Sequence, residues 1–170
     1  MRYVLLRCLV LFSLCAMCTP SFAGDAAFGP VITSDRLEKL LEKDKPLILD
    51  IRGNNVKDGY IPGAISVSYS AFRGPKNNPG QLVTNSHLTS LFQELGILRE
   101  RPVVVVYQGK DATDFGAAAR VYWTLKSAGI KKIAILNGGM NGWKRGGKRA
   151  TSAVPSKPVK SEIVVTLSDE

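Results

Sequence analysis

Pro102 opens a run of four valines, Val103 to Val106, which passes through Tyr107 into the polar stretch Gln108-Gly109-Lys110-Asp111-Ala112-Thr113. β-Branched residues in a run this short form a strand buried on both faces rather than a helix. Asp114 has the side chain of an N-cap. The alanine-rich segment beyond it, through Arg120, Val121, Tyr122, Trp123 and Leu125, has helical composition. Strand, loop and helix start follow one another as they do where parallel sheets place their sites, at the carboxyl end of a strand. Any chemistry of this chain is therefore expected at Gln108 to Thr113. That loop lacks a nucleophile.

The rest of the chain reads as more of the same architecture. Val31-Ile32-Thr33 forms a short strand, and Ser34 caps a helix with Leu37, Leu40 and Leu41 on one face. Pro46 ends that helix, because a proline disfavours helical geometry in the residue before it. Leu47 to Ile51 is a buried strand. Asp50 within it is costly unless hydrogen-bonded, and Arg52 is the available partner. Pro62-Gly63 makes a turn, Ile65 to Val67 a third strand and residues 74–80 a long surface loop. Ser86 to Leu95 forms a helix with Leu88, Leu91, Phe92 and Leu95 on one stripe, stopped by Gly96. Gly129 stops the helix after the valine strand, and Ile133 to Leu136 is the last strand. Asn137-Gly138-Gly139 then turns into a short helix around Met140 to Trp143. Five strands alternating with helices predict an α/β fold with a parallel sheet.

The first residues have a different character. Met1 to Arg7 carries two positive charges, and Cys8 to Cys18 is apolar apart from Ser13. Thr19-Pro20-Ser21-Phe22-Ala23 ends with small residues at the −3 and −1 positions, the pattern of a secretory signal cut after Ala23. The apolar core falls short of the ~20 residues that span a bilayer. Residues 1–23 are thus read as a signal peptide, 24–30 as a flexible lead, 31–147 as one domain and 148–170 as a linker-like tail. The expected destination is the periplasm or the exterior, with no stable membrane anchor after cleavage. Cys8, Cys15 and Cys18 are the three cysteines of the chain, and all lie in this leader. Its removal leaves no disulfide, no thiolate metal site and no thiol chemistry.

The leader also takes two of the 23 basic side chains, leaving 21 against 14 acidic ones. The excess sits late, in Lys131, Lys132, Lys144, Arg145, Lys148, Arg149, Lys157 and Lys160, with no helical stripe and little aromatic interleaving. That distribution describes a solvated surface, and no nucleic acid is expected as a partner. Beyond Arg149 the tail is rich in Ala, Thr, Ser, Pro and Lys until Ile163-Val164-Val165-Thr166-Leu167, which has the pattern of a strand.

Asp50-Ile51-Arg52, Gly59-Tyr60-Ile61-Pro62-Gly63-Ala64, the loop from Tyr107 to Thr113, and Leu136-Asn137-Gly138-Gly139-Met140-Asn141-Gly142-Trp143 occur in this order. As a set they resemble the rhodanese-like family, over about Val31 to Gly147. The resemblance implies a five-stranded parallel sheet flanked by helices on both faces, with an active loop after the fourth strand. It also implies transfer of sulfane sulfur, from thiosulfate for example, through a cysteine persulfide. Two positions depart from the family. Tyr60 stands where the usual His precedes the Ile-Pro-Gly-Ala turn, and Gln108 stands where an active rhodanese has its Cys. Sulfur transfer needs a thiolate that attacks sulfur and is regenerated from a persulfide, and a carboxamide does neither. Gln108 to Trp123 further resembles the first domain of tandem rhodaneses, which commonly lacks the Cys. Pro155 to Leu167 looks like the connector between their domains.

The expected function is that of a sulfurtransferase-family domain inactive by itself, equivalent to the first half of a tandem thiosulfate sulfurtransferase. A stand-alone module that binds an anion or a protein in the periplasm is the alternative. No residue is assigned a catalytic role. Gln108, Gly109, Lys110, Asp111, Ala112 and Thr113 form the equivalent of the active loop, and Asp50 and Arg52 support it. Backbone amides at a loop–helix junction with Lys110 favour a small anion, while Asp111 and Asp114 oppose it. His87, the one histidine, lies near a helix start and is read as a surface residue. It assembles no nucleophile pair with Thr113. No His, Cys and carboxylate cluster has metal-ligand spacing, and no cofactor is expected. The expected partners are a second rhodanese-like domain or an envelope protein. A lone half of such a pair would expose an apolar patch that promotes association.

Overall fold

The computed structural model describes residues 28–53, 57–153 and 158–167. Residues 1–23, read as a signal peptide, and most of 24–30, read as a lead, fall outside the described residues. β1 (Val31–Ile32) leads into α1 (Ser34–Lys43), β2 (Leu47–Asp50) and β3 (Ala64–Ser66). A 3₁₀ turn (Tyr69–Phe72) and α2 (Asn85–Glu94) precede β4 (Val103–Val106). α3 (Ala112–Ser127), β5 (Ile133–Leu136) and α4 (Gly139–Arg145) complete the order. The five strands form one sheet in the order β1-β5-β4-β2-β3, every pair parallel.

Side chains alternate across a strand, so β4 serves two cores at once. Val103 and Val105 join Leu47, Leu49, Ile133 and Ile135 on the face covered by α2 and α3. Val104 and Val106 join Ile48, Ala134 and Leu136 on the face covered by α1 and α4, with Leu37, Met140 and Trp143. All four valines are fully buried. Parallel pairing forces each connection back across the sheet, so α2 and α3 run antiparallel to the strands. Their N-terminal ends therefore lie at the carboxyl edge of the sheet, where the loop after β4 also lies.

α1 is capped one residue before its expected cap, and α2 begins one residue before Ser86. Thr33, extended at φ −79°, caps α1 by accepting from the Arg36 amide at 3.4 Å; Ser34 is already helical. Thr84 does the same for α2 at the His87 amide, 3.2 Å away. The helices begin where the backbone turns, and the nearest hydroxyl before that point takes the cap.

The tail departs further from its linker-like reading, because its described parts are docked. Lys148 binds Asp35 and Glu38 of α1, each at 2.7 Å, and Thr151 forms an antiparallel bridge with Tyr60. Residues 158–167 lie extended along α2 and join no sheet. Ile163 and Val165 point into the α2–α3 core while Glu162, Val164 and Thr166 face outward. The alternation that reads as a strand is thus used against a helix. The main chain of the segment is held by side chains: Gln93 Nε2 donates to the Ile163 carbonyl, Arg99 Nη2 to that of Val164, and Thr89 Oγ1 accepts from the Val165 amide.

Candidate functional site

The loop after β4 is shaped by two glycines facing it. Gly109 has φ +86°, and a Cβ there would collide with the carbonyl of Gly138. At Gly139, φ +56°, a Cβ would likewise collide with the Tyr107 carbonyl. Glycine is what allows the two backbones to touch. The contact is fixed by the Met140 amide donating to Tyr107 and the Asn141 amide donating to Gln108, at 2.8 and 2.9 Å.

From there the loop enters α3. Asp111, not Asp114, is the N-cap: its Oδ1 accepts from the Asp114 amide at 2.9 Å. Asp114 sits in the first turn and reaches back, so that Oδ2 accepts from the amides of Gly109 and Lys110 at 2.7 and 3.0 Å. Two aspartates three residues apart thereby satisfy the helix start reciprocally, much as a capping box does. The amides that would hold an external anion are engaged by an internal carboxylate.

Behind the loop, Asp50 and Arg52 form the pair anticipated from the sequence. Arg52 Nε donates to Asp50 Oδ1 at 2.9 Å and Nη2 to Oδ2 at 2.6 Å. Asp50 has no exposed surface, and the arginine side chain is 5% exposed. Arg52 also donates from Nη2 to the Gly59 carbonyl at 2.7 Å and lies 5.7 Å from the centre of the Tyr60 ring. Its remaining Nη1 reaches Gln108 Oε1 at 3.3 Å.

Gln108 is tied on every side. Nε2 donates to Asp58 Oδ2 and to Asn141 Oδ1, both at 2.9 Å. Because Arg52 only donates and Asp58 only accepts, the carboxamide fits in one orientation. Lys144 of α4 extends the network by donating to Asp58 Oδ1 at 2.6 Å. That hydrogen bond, aided by the Gln108 amide, holds the Asp58 carboxyl below its ordinary 3.8. Tyr107, at the base of the loop, meets the ring of Phe115 edge-on at 5.7 Å. Burial, reinforced by the charge of Asp114, raises its phenol above the ordinary 10.0.

The structure therefore gathers Asp50, Arg52 and Gln108 with three residues the sequence did not single out for the site, Asp58, Asn141 and Lys144. Asn141 lies within a motif visible in the sequence; Asp58 and Lys144 carry no signal of their own. Lys110, Ala112 and Thr113 are exposed. His87 donates from Nε2 to the Ala71 carbonyl at 2.9 Å and makes no hydrogen bond to the loop among the described residues. Among the described residues no group of three or more His, Cys, Asp or Glu is placed to hold a metal ion, and no helix is long and apolar enough to cross a membrane.

Residues 33–146 match the profile of the rhodanese-like domain. The chain belongs to the rhodanese-like family. This rhodanese-like chain is 30% identical, over 149 residues, to a putative thiosulfate sulfurtransferase of Synechococcus elongatus, covering 86% of its own length and 46% of the relative's. It is 29% identical over 89 residues to a 3-mercaptopyruvate sulfurtransferase of Escherichia coli K12, covering 52% of itself and 30% of that protein. The crystal structure of a 3-mercaptopyruvate sulfotransferase from Escherichia coli superposes with a TM-score of 0.66 at 21% identity, over 82% of this chain and 56% of that one. The chain thus spans about half the length, or less, of the curated relatives it matches.

Proposed function

We propose that this rhodanese-like domain is a sulfurtransferase-family module that has no nucleophile in its loop and is inactive alone. It is equivalent to the first half of a two-domain thiosulfate sulfurtransferase. One observation carries the reading. The side chain at the centre of the loop, where active members of the family place a thiolate, is Gln108, and every polar atom of its carboxamide is committed to Arg52, Asp58 and Asn141. A group so held neither attacks a sulfur atom nor leaves one. The relatives' thiosulfate and mercaptopyruvate activities, and their greater length, support a role for this domain beside a catalytic one. The leader pattern before Gly24 supports export, and N-terminal sequencing of the protein recovered from the periplasm or medium tests it, with Gly24 expected first.

Cyanide-dependent sulfur transfer from thiosulfate, measured beside a Gln108→Cys variant, tests the loop. The wild type is expected to be silent and the variant to gain activity, since Arg52 remains beside the new thiol to favour its thiolate. Turnover by the wild type would overturn the reading. Silence of both would overturn its claim that the loop keeps the family's cradle.

A further inference from the structure

Helix α3 has an apolar stripe outside the one it buries. Its inward stripe, Ala118, Val121 and Leu125, is fully buried. At about 100° per residue, Ala112, Gly116, Trp123 and the half-buried Ala119 fall on the outer side, with Phe115 and Lys126 along one margin and Arg120, which donates to the Gly80 and Gln81 carbonyls, along the other. A helix that covers a core with one face carries polar residues on the other, and an exposed apolar stripe there marks a contact surface. Phe115 is 40% exposed and Trp123 44%. Gly116 adds a second anomaly. A Cβ built there meets nothing within 4 Å, so no close packing within the domain accounts for a glycine in mid-helix, where it is disfavoured.

We infer that a second copy of this chain covers this face, α3 crossing α3 antiparallel about a two-fold axis at Ala119. The charges select that occupant. The helix has Asp111 and Asp114 at its start and Lys126 in its last turn, with the stripe of Phe115, Gly116, Ala119 and Trp123 between. Antiparallel pairing about Ala119 sets Phe115 opposite Trp123 of the second copy at both ends. It brings Lys126 against Asp111 of the second copy, also twice. Among the described residues Lys126 has no ion-pair partner. Asp111 uses Oδ1 for its own cap, leaving Oδ2 for the ammonium. A two-fold contact must be self-complementary in this sense, and Gly116 and Ala119 let the helix axes approach. The inference stands apart from the chemistry of the loop.

Sedimentation velocity tests it. The chain is expected to show the mass of two copies at high concentration and to dissociate on about a hundredfold dilution by mass action. Trp123→Glu is expected to sediment as a single copy throughout and to melt as the wild type does when dilute enough to be a single copy. With Cys8, Cys15 and Cys18 replaced by Ser, Ala119→Cys lies on the axis and forms a disulfide between copies. Lys132→Cys, exposed beyond the end of α3, does not. A single-copy mass at every concentration overturns the inference. A dimer that persists in Trp123→Glu, or equal crosslinking at positions 119 and 132, also overturns it.

Discussion

A carboxylate without exposed surface on an inner strand would destabilise the fold if nothing compensated its lost hydration. Asp50 is compensated by a two-pronged contact from Arg52, whose own side chain is nearly as buried. The same arginine holds the Gly59 carbonyl and the Gln108 carboxamide, so one cation anchors three segments that meet at the loop. Removing half of a buried pair leaves the other half desolvated and unpaired. Asp50→Ala is therefore expected to destabilise the domain by about 3 kcal/mol or more, read as a lower midpoint in urea unfolding. A change within about 0.5 kcal/mol, the range of an ordinary surface substitution, would mean that solvent reaches Arg52 and that the pair does not support the loop. Gln108 belongs to the same logic. A neutral group that donates at one end and accepts at the other bridges Asp58 and Arg52, which a thiol would leave without their shared partner.

At the scale of elements, the loop is held by backbone contact between the turn at Gly109 and the start of α4. Gly109→Ala adds a methyl that collides with Gly138 and also strains a φ of +86°, whereas Gly63→Ala meets open space at φ +78°. The first is expected to cost about 3 kcal/mol and the second about 1 kcal/mol, so urea unfolding of the two variants separates collision from strain. Equal costs would show that the Gly109–Gly138 contact can relax. The strands and α2 were legible in the sequence because burial on two faces or on one stripe leaves a pattern within a single segment. The start of α3 was misplaced because Asp111 and Asp114 both suit a cap. The choice between them depends on the turn at Gly109, which composition does not reveal. Asp58 and Asn141 lie 50 and 33 positions from Gln108, and a hydrogen bond between segments so far apart leaves no local trace. The tail showed its alternation but not its partner, since Gln93, Arg99 and Thr89 hold it through its main chain.

The docked tail bears on the whole molecule. Its contacts run from Gln93 through Thr89 to Asn85 as the chain runs from Ser161 to Leu167. It therefore travels antiparallel to α2 and arrives at the carboxyl edge of the sheet, the edge that carries the Gln108 loop. Ordering such a segment costs roughly 1 kcal/mol of backbone entropy per residue. Against this stand the burial of Ile163 and Val165, at 8% and 2% exposure, and a few hydrogen bonds worth about 1 kcal/mol each. These opposing quantities are close, so the tail is expected to open as a unit well before the sheet unfolds. Native-state hydrogen exchange separates the two events. The amides of Val165 and Leu167, bonded to Thr89 and Asn85, are expected to exchange through a smaller opening than those of Val104 to Val106. Ile163→Ala removes buried contact worth about 2 kcal/mol, so it is expected to speed exchange at the two tail amides by more than about tenfold. The β4 amides are expected to change far less. If the tail amides exchange only in step with β4, the tail is part of the cooperative core, and Ile163→Ala must then lower the stability of the whole domain by the same amount.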